Sequence, residues 1–483
     1  MKWLAAMLLA LIAMPLAAEE VGSKKFTENV ILGEIARQAL EEAGANANHR
    51  RELGGSRILW DALKAGEIDV YPEYTGTLRF EILSGERLAS DADLPAALAR
   101  HGLAMTRSLG FSNGYALAMR KERAERLGIE TISDLLHFGE LEIAVSNEFI
   151  ARADGWRALS DAYGLAGTPV RGIDHDLAYR ALDAGQIDVT DAYTTDAEIE
   201  VYDLKLLKDD RTFFPRYDAV FLYRTQLNQA AINALDGLAA TIDEAEMRAL
   251  NRSVRIDGKS EAAAARQALG LNARPTSQSA MSRIFERTAE HLWLVFVALS
   301  AALIIAIPLG ILAAQDKRLG AFVLSAAGIL QTIPSLALFV ILIPLLGIGA
   351  LPTIAALFLY SLLPIVRNVH AGLTGISPAL VDSARALGLS RIARLRRIEL
   401  PLALPTIMAG IRIAAVIAVG LATLGAIIGA GGYGQPILTG IRLNDTALIL
   451  EGAIPAALLA LAIEGLFQLL QNAVTPRGLK QPP

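Results

Sequence analysis

Hydrophobic and polar positions alternate in two different ways along this chain, and the change falls near residue 290. Before it, short strand-like segments such as Glu142–Val145 and Ile187–Val189 are separated by stretches such as Val30–Ala43, where apolar residues recur at helical spacing. That pattern predicts a soluble α/β fold over 19–275, where no run approaches the roughly 20 apolar residues needed to span a bilayer. After it come five membrane-length apolar runs, near 291–314, 320–343, 351–369, 403–428 and 446–471. Pro308, Pro334, Pro364 and many Gly and Ala residues interrupt them, as helix bundles in lipid tolerate, and Pro334 is the expected break in the second run. At the start, Lys2 precedes an uninterrupted apolar stretch, Trp3–Ala18, which predicts a signal peptide over 1–18 and export of the domain behind it. Residues 276–289 read as a linker, 290–475 as an all-α membrane unit and 476–483 as a cytoplasmic tail.

Charge placement orients the membrane half. With 19–275 outside, the first span emerges inside at Lys317 and Arg318, and the loop after the third span carries Arg385, Arg391, Arg394, Arg396 and Arg397. The tail, with Arg477 and Lys480, falls inside as well. By contrast Gly347–Leu351 carries no charge, and Gly429–Asp445 only Arg442 and Asp445. The excess of basic residues on one side predicts a multi-pass protein of the inner membrane with its first domain on the periplasmic or extracellular side.

Composition then narrows the chemistry. The mean hydropathy of +0.39 fits a chain partly in lipid. Zero cysteines among 483 residues exclude disulfides, thiolate metal sites and a cysteine nucleophile. A net charge of −5 gives no reason to expect nucleic acid, which needs a basic surface. The six histidines show no His-x-x-x-His spacing, and Asp174-His-Asp176 reads as a polar turn, so neither metal nor cofactor is expected. There is no Gly-x-x-x-x-Gly-Lys-Ser/Thr phosphate loop; Gly258-Lys-Ser260 is a fragment in a solvated loop.

Within the soluble half one phrase occurs twice. Leu63-Lys-Ala-Gly-Glu-Ile-Asp-Val70 returns 119 residues later as Leu182-Asp-Ala-Gly-Gln-Ile-Asp-Val189, and Tyr74-Thr75 then matches Tyr193-Thr194. Each copy reads as a helix ended by Gly66 or Gly185, a short strand, and a loop carrying Tyr and Thr. Two such units predict two lobes, each offering a tyrosine where ligands of open α/β sheets sit, with a hinged cleft between them. Tyr115 and Tyr217 lie in two further loop-like contexts. Tyrosines more often pack than bind, yet the symmetric recurrence favours a site. Four aromatic faces suit a quaternary ammonium, which cannot donate a strong N–H hydrogen bond and is held by cation–π contact and dispersion. Lys24 and Arg152 can pair with a carboxylate at the other end of a zwitterion.

Ser23-Lys-Lys-Phe-Thr-Glu28, Tyr71-Pro-Glu-Tyr-Thr-Gly-Thr77, Asn113-Gly-Tyr-Ala-Leu-Ala118, Glu148-Phe-Ile-Ala-Arg-Ala-Asp-Gly155 and Asp191-Ala-Tyr-Thr-Thr-Asp196 stand in this order. Together they resemble the substrate-binding proteins of osmoprotectant ABC importers, which take up glycine betaine, choline, carnitine and proline betaine. The resemblance implies a type II periplasmic-binding-protein fold and an ammonium box of Tyr74, Tyr115, Tyr193 and Tyr217. It also implies that Lys24, Arg152 and Thr77 hold a carboxylate. Asn113 stands where some relatives have Asp, which bears on ligand preference.

The membrane half resembles the permease subunit of the same importers, whose cytoplasmic loop reads Glu-Ala-Ala, three residues, Gly, nine residues, Ile-x-Leu-Pro. Here Asp382-Ser-Ala384 replaces the first triplet, and Gly388 and Ile398-Glu-Leu400-Pro401 complete the pattern. The loop implies docking of a separate cytoplasmic ATPase, and a single permease half implies a homodimer in the bilayer. The expected protein is therefore no enzyme itself but a natural fusion of receptor and permease for a quaternary-ammonium solute. Importers of ergothioneine, another betaine, are the alternative within this class. A ligand-gated channel or sensor is the alternative outside it, and the Gly388-to-Pro401 loop argues against that.

Overall fold

The computed structural model describes residues 18–86, 88–272, 280–443 and 445–475. The expected signal peptide (Ala18 apart) and the tail 476–483 lie outside the described residues. The chain divides into two compact units, Met1–Pro275 and Thr276–Pro483.

Among the described residues the first unit has ten strands: β1 (Glu19–Gly22), β2 (Ala47–Arg50), β3 (Val70–Tyr74), β4 (Leu103–Met105), β5 (Tyr115–Arg120), β6 (Ile143–Ser146), β7 (Val170–Ile173), β8 (Thr190–Tyr193), β9 (Leu204–Leu207) and β10 (Ala219–Arg224). Its helices include α1 (Thr27–Glu42), α2 (Ser56–Ala65), α3 (His175–Asp183) and α4 (Glu244–Arg255). One lobe holds a sheet of order β2-β1-β3-β10-β4, with β10 antiparallel to both neighbours. The other holds β8-β5-β9 beside the pair β6-β7, and the parallel bridge Ile143↔Val189 joins the two pieces. The second lobe thus runs β7-β6-β8-β5-β9, the same succession of parallel and antiparallel neighbours as the first.

The internal repeat is the sequence trace of that symmetry. α2 ends at Gly66 (φ +79°) and α3 is followed by Gly185 (φ +68°), left-handed positions that a side chain would strain. The chain then enters β3 or β8. Tyr74 and Tyr193 are the last residues of these strands rather than loop residues, and Tyr115 is the first residue of β5. A strand end fixes a side chain more firmly than a loop does. The chain passes between lobes twice, after β4 and after β9, and the two passages pair at Ser112↔Asp218.

The second unit is helical: α5 (Ala280–Gln315), α6 (Lys317–Thr332), α7 (Ser335–Leu346), α8 (Ala350–Thr374), α9 (Pro378–Ala386), α10 (Arg391–Arg394), α11 (Leu400–Ala422), α12 (Gly434–Leu443) and α13 (Thr446–Val474). Of the stretch read as linker, residues 280–289 are the first turns of α5. That helix has 36 residues, about 54 Å, so it exceeds the roughly 30 Å bilayer core and its polar first turns lie beyond it. Among the described residues four stretches are each long and apolar enough to span: Met281–Gln315, Ala350–Thr374, Arg391–Ile428 and Thr446–Val474. α6 and α7 together make a fifth crossing only as a pair, bent by 97° at a break that contains Pro334, which removes a helical N–H and keeps Ile333 extended. α5, α8 and α11 meet through Ala302, Ala306, Val366, Val369, Ala403 and Ala414, small residues that let helix backbones approach in lipid.

Candidate functional site

Between the lobes lies a small cavity of about 20 Å³, partly open to solvent. Lys24, Phe26, Tyr74, Thr77, Asn113, Tyr115, Glu148, Arg152, Tyr193 and Tyr217 line it. All eight side chains singled out in the sequence are therefore brought together, along with Phe26 and Glu148, which the sequence does not single out. β3 delivers Tyr74 and the turn after it Thr77, β8 delivers Tyr193, β5 delivers Tyr115, and the two passages between lobes deliver Asn113 and Tyr217.

The rings form a continuous cage. Tyr115 and Tyr193 are directly opposite residues on antiparallel strands, with ring centroids 4.9 Å apart. Tyr217 meets Tyr115 edge-on at 5.6 Å, and Phe26 bridges Tyr193 (5.4 Å) and Tyr74 (6.2 Å). Close approach at one wall depends on Gly76, where an added Cβ would lie 2.4 Å from the Tyr217 ring. Burial raises the phenols of Tyr74, Tyr115 and Tyr193, so all three remain neutral. Their hydroxyls are occupied: Tyr74 donates to Glu28 (2.6 Å), Tyr217 donates to Asp154 (2.7 Å), and Tyr115 and Tyr193 share a contact of 3.3 Å. With the polar tips tied back, the faces are what the cavity presents.

The cations stand against the rings of the cage: the Arg152 guanidinium lies 5.2 Å from the Tyr115 ring centre and 5.9 Å from that of Tyr217. Arg152 holds Asp154 through two parallel bonds (2.8 and 2.7 Å) and reaches Glu81 (2.6 Å) and Thr77 (3.4 Å) in the other lobe. Lys24 pairs with fully buried Glu73 and lies 5.2 Å from the Tyr74 ring centre. Glu148 faces the cavity half-buried.

A second layer ties the lobes together behind the cage. Glu28, 2% exposed, accepts from Tyr74, from Asn113 Nδ2 (2.8 Å), from Thr195 and from Asn251 Nδ2 (3.1 Å). Burial raises its carboxyl, and the bonds from Thr195, Tyr74 and Asn251 oppose that rise. His175 begins α3 instead of sitting in a polar turn, and its side chain is 16% exposed. Its Nε2 lies 3.0 Å from Asp196 and its ring 4.6 Å from Tyr193, on which it packs. Burial opposes its charge, but Asp191 and Asp196 outweigh burial and raise it well above the usual range. The sequence places Glu28 in a motif and His175 between two aspartates but assigns neither a role, because their partners are distant along the chain.

In the helical unit, Asp382 and buried Ala384 lie on α9, and Asp382 meets Arg385 at 3.0 Å. Gly388 (φ +75°) turns the chain towards α10, and Ile398, Leu400 and Pro401 lead into α11. Leu380, Leu387 and Ile392 are exposed along this arginine-rich segment.

Two family models match the chain. That for the substrate-binding domain of ABC-type glycine betaine transport systems covers residues 20–270, and that for the inner-membrane component of binding-protein-dependent transport systems covers 306–479. The osmoprotectant import permease protein OsmW of Salmonella typhimurium is 46% identical over 198 residues, 40% of this chain and 92% of that protein. The glycine betaine/carnitine/choline transport system permease protein OpuCB of Bacillus subtilis is 40% identical over 194 residues, 40% of this chain and 89% of that protein. A solved glycine betaine/carnitine/choline ABC transporter structure is 28% identical, covering 52% of this chain and 97% of that one with a TM-score of 0.45.

Proposed function

Because the chain belongs to the family of glycine betaine-type ABC import systems, with their substrate-binding domain fused to their permease domain, we propose that it captures a quaternary-ammonium solute and conducts it across the membrane. The observation that carries this reading is the cage of Tyr74, Tyr115, Tyr193, Tyr217 and Phe26 facing two cations. A trimethylammonium group gains about 0.5–2 kcal/mol from each desolvated ring face and asks for no hydrogen bond. A carboxylate at the far end of a glycine betaine or carnitine would meet Lys24, Arg152 and Thr77, and Glu28, Arg152 and Thr195 hold the lobes closed over it.

Energy would come from a separate ATPase seated on α9 and α10, where exposed Leu380, Leu387 and Ile392 supply apolar contact between the arginines. A homodimer, with the binding unit outside the cell, completes the assembly. Basic residues support that orientation and also bear on the bent pair. If α6 and α7 cross as one span, Arg385–Arg397 falls inside; if they turn back, the same arginines fall outside. Five crossings are therefore part of the proposal.

The test is calorimetry on residues 19–275, a compact unit, titrated with glycine betaine, choline, carnitine and ergothioneine, with lysine as a primary-ammonium control. Saturable binding of a methylated ammonium and none of lysine is expected. Equal binding of lysine, or no binding by any of the four, would overturn the assignment.

A further inference from the structure

His175 stands just outside the cage and has no part in capture as proposed above. Its ring centre lies 4.6 Å from that of Tyr193, with the two planes tilted by 40°. Tyr193 lines the cage and His175 does not. His175 instead lines a second cavity of about 20 Å³, which shares Phe26 with the first. The imidazole therefore backs the Tyr193 ring from outside the space a ligand enters.

Two carboxylates hold it there. Asp196 Oδ2 lies 3.0 Å from Nε2 and also accepts the Tyr193 backbone N–H at 3.0 Å. One group thus fixes both the imidazole and the strand end that carries the ring. Asp191, fully buried on β8, lies 3.7 Å from Nδ1. Tyr179, one turn along α3, packs edge-on at 5.2 Å. Across the small cavity stand Glu28 from α1 and Arg255 from α4, the latter paired with Asp176 and Glu198. At the surface, neighbouring Asp174 meets Lys25. Burial opposes a charge on the imidazole, but Asp191 and Asp196 outweigh it, so His175 is protonated at neutral pH.

A cage that recognises a cation by ring faces thus has a fixed positive charge against one of its rings. With about 4–5 Å to the ring on either side, an ammonium in the cage would stand roughly 9 Å from His175. At an effective dielectric of about 40, between water and dry interior, that repulsion is equivalent to roughly 0.7 pH unit, or about fivefold in affinity.

We propose that His175 is a specificity-determining residue: held by Asp191 and Asp196 against Tyr193, it limits how strongly the cage prefers a charged methylated head over an uncharged one of the same shape. This rests on the proposed capture of a quaternary ammonium and adds the group that tempers it. Glycine betaine and tert-butylacetate differ only in nitrogen or carbon at the centre of the head, so comparing them cancels the carboxylate. Full-length protein with 15N-labelled histidine, in nanodiscs, would be titrated with each ligand at saturation. The His175 signal, one of six, is identified by its nuclear Overhauser contact with the Tyr193 ring. Its midpoint should lie about 0.7 pH unit lower with glycine betaine bound than with tert-butylacetate bound. By calorimetry, His175→Gln, which keeps an N–H for Asp196 without the charge, should prefer glycine betaine about fivefold more strongly than the unaltered protein does. A merely structural role predicts the reverse, because a loosened Tyr193 ring weakens the cation contact first. Equal midpoints with the two ligands, or a preference that stays or falls in His175→Gln, would overturn the proposal. Should that variant not fold, the titration of the unaltered protein decides alone. No glycine betaine binding by the unaltered protein would refute capture of that betaine, and this inference with it.

Discussion

Replacing Tyr193 with Leu separates a charge-recognising ring from one that merely fills space. Tyr193 is 8% exposed, closes one wall of the cage, and touches both Tyr115 and Phe26. Leucine keeps an apolar side chain there but removes the quadrupole. One lost cation–π contact of about 0.5–2 kcal/mol corresponds to roughly 2-fold to 30-fold in affinity, and full desolvation puts this site at the upper end. Tyr193→Phe retains the face and gives up only the 3.3 Å contact with the Tyr115 hydroxyl, a cost of about 0.5–1.5 kcal/mol at most. The informative assay is calorimetry with two ligands of one shape, glycine betaine and tert-butylacetate, in which carbon replaces the charged nitrogen. The unaltered domain should prefer glycine betaine strongly. In Tyr193→Leu, glycine betaine should weaken by about tenfold or more while tert-butylacetate changes by less than about threefold. Equal losses for both ligands would mean that Tyr193 serves packing, and unchanged binding of glycine betaine would remove it from the site.

Gly76→Ala puts a methyl 2.4 Å from the Tyr217 ring and 2.9 Å from the Arg216 carbonyl, so glycine betaine affinity should drop at least about tenfold by calorimetry, the overpacking costing roughly 1–3 kcal/mol; unchanged affinity would show that the ring can retreat. Glu28→Gln replaces an acceptor of four donors with a group that can accept only through one oxygen, and a hydrogen bond to a charged group is worth about 1.5–3 kcal/mol. Weaker ligand binding and a smaller ligand-induced compaction in X-ray scattering are expected, and full compaction would contradict the latch. His49 is lowered to about 4, by burial first, while its ring contacts Glu34 and Ser23. Its folded value lies below its unfolded one, so this stability is complete above about pH 6.5 and is lost as pH falls towards 4, to the extent of about 3 kcal/mol. Denaturant melts of residues 19–275 at neutral and acid pH should show that loss, and His49→Gln should flatten it.

How far the sequence can be read depends on whether a feature is periodic. The repeat around Gly66 and Gly185 exposes the two lobes because duplication leaves its mark in order, and Tyr74 and Tyr193 stand at equivalent points of it. Phe26 and Glu148 lie inside recognisable motifs yet carry no signal of facing the cavity, since neither shows a spacing that burial demands. The polar Thr after Tyr74 and after Tyr193 resembles a turn and suggests loops, whereas cross-strand pairing with Ala219 and Tyr115 extends the strands to the tyrosines themselves. Asp174-His-Asp176 reads as a polar turn, but the N-cap at Asp174 starts a helix that carries the imidazole to Asp191 and Asp196. In the membrane half, hydropathy locates the runs and Pro334 the break, while the pairing of Arg412 with Glu464 joins residues 52 apart in the chain and has no sequence signature.

The charges of the cleft follow from a constraint on the empty receptor. A buried cation without a partner costs several kcal/mol, so a site cannot hold Lys24 and Arg152 bare while waiting for a carboxylate. Each is accordingly pre-paired, Lys24 with Glu73 and Arg152 with Asp154 and Glu81. An arriving carboxylate therefore adds to a neutralised cluster and gains less than it would from free cations, and the cost of stripping its water is not fully returned. The rings carry no charge that must be neutralised, although Lys24 already sits against Tyr74 and Arg152 against Tyr115 and Tyr217. Affinity should consequently be concentrated in the methylated ammonium and discrimination among its carriers left to the weaker polar end. On the proposed function, a receptor so divided should accept several compatible solutes that share one cationic head, which is why the cage is legible in its residues while no single solute is.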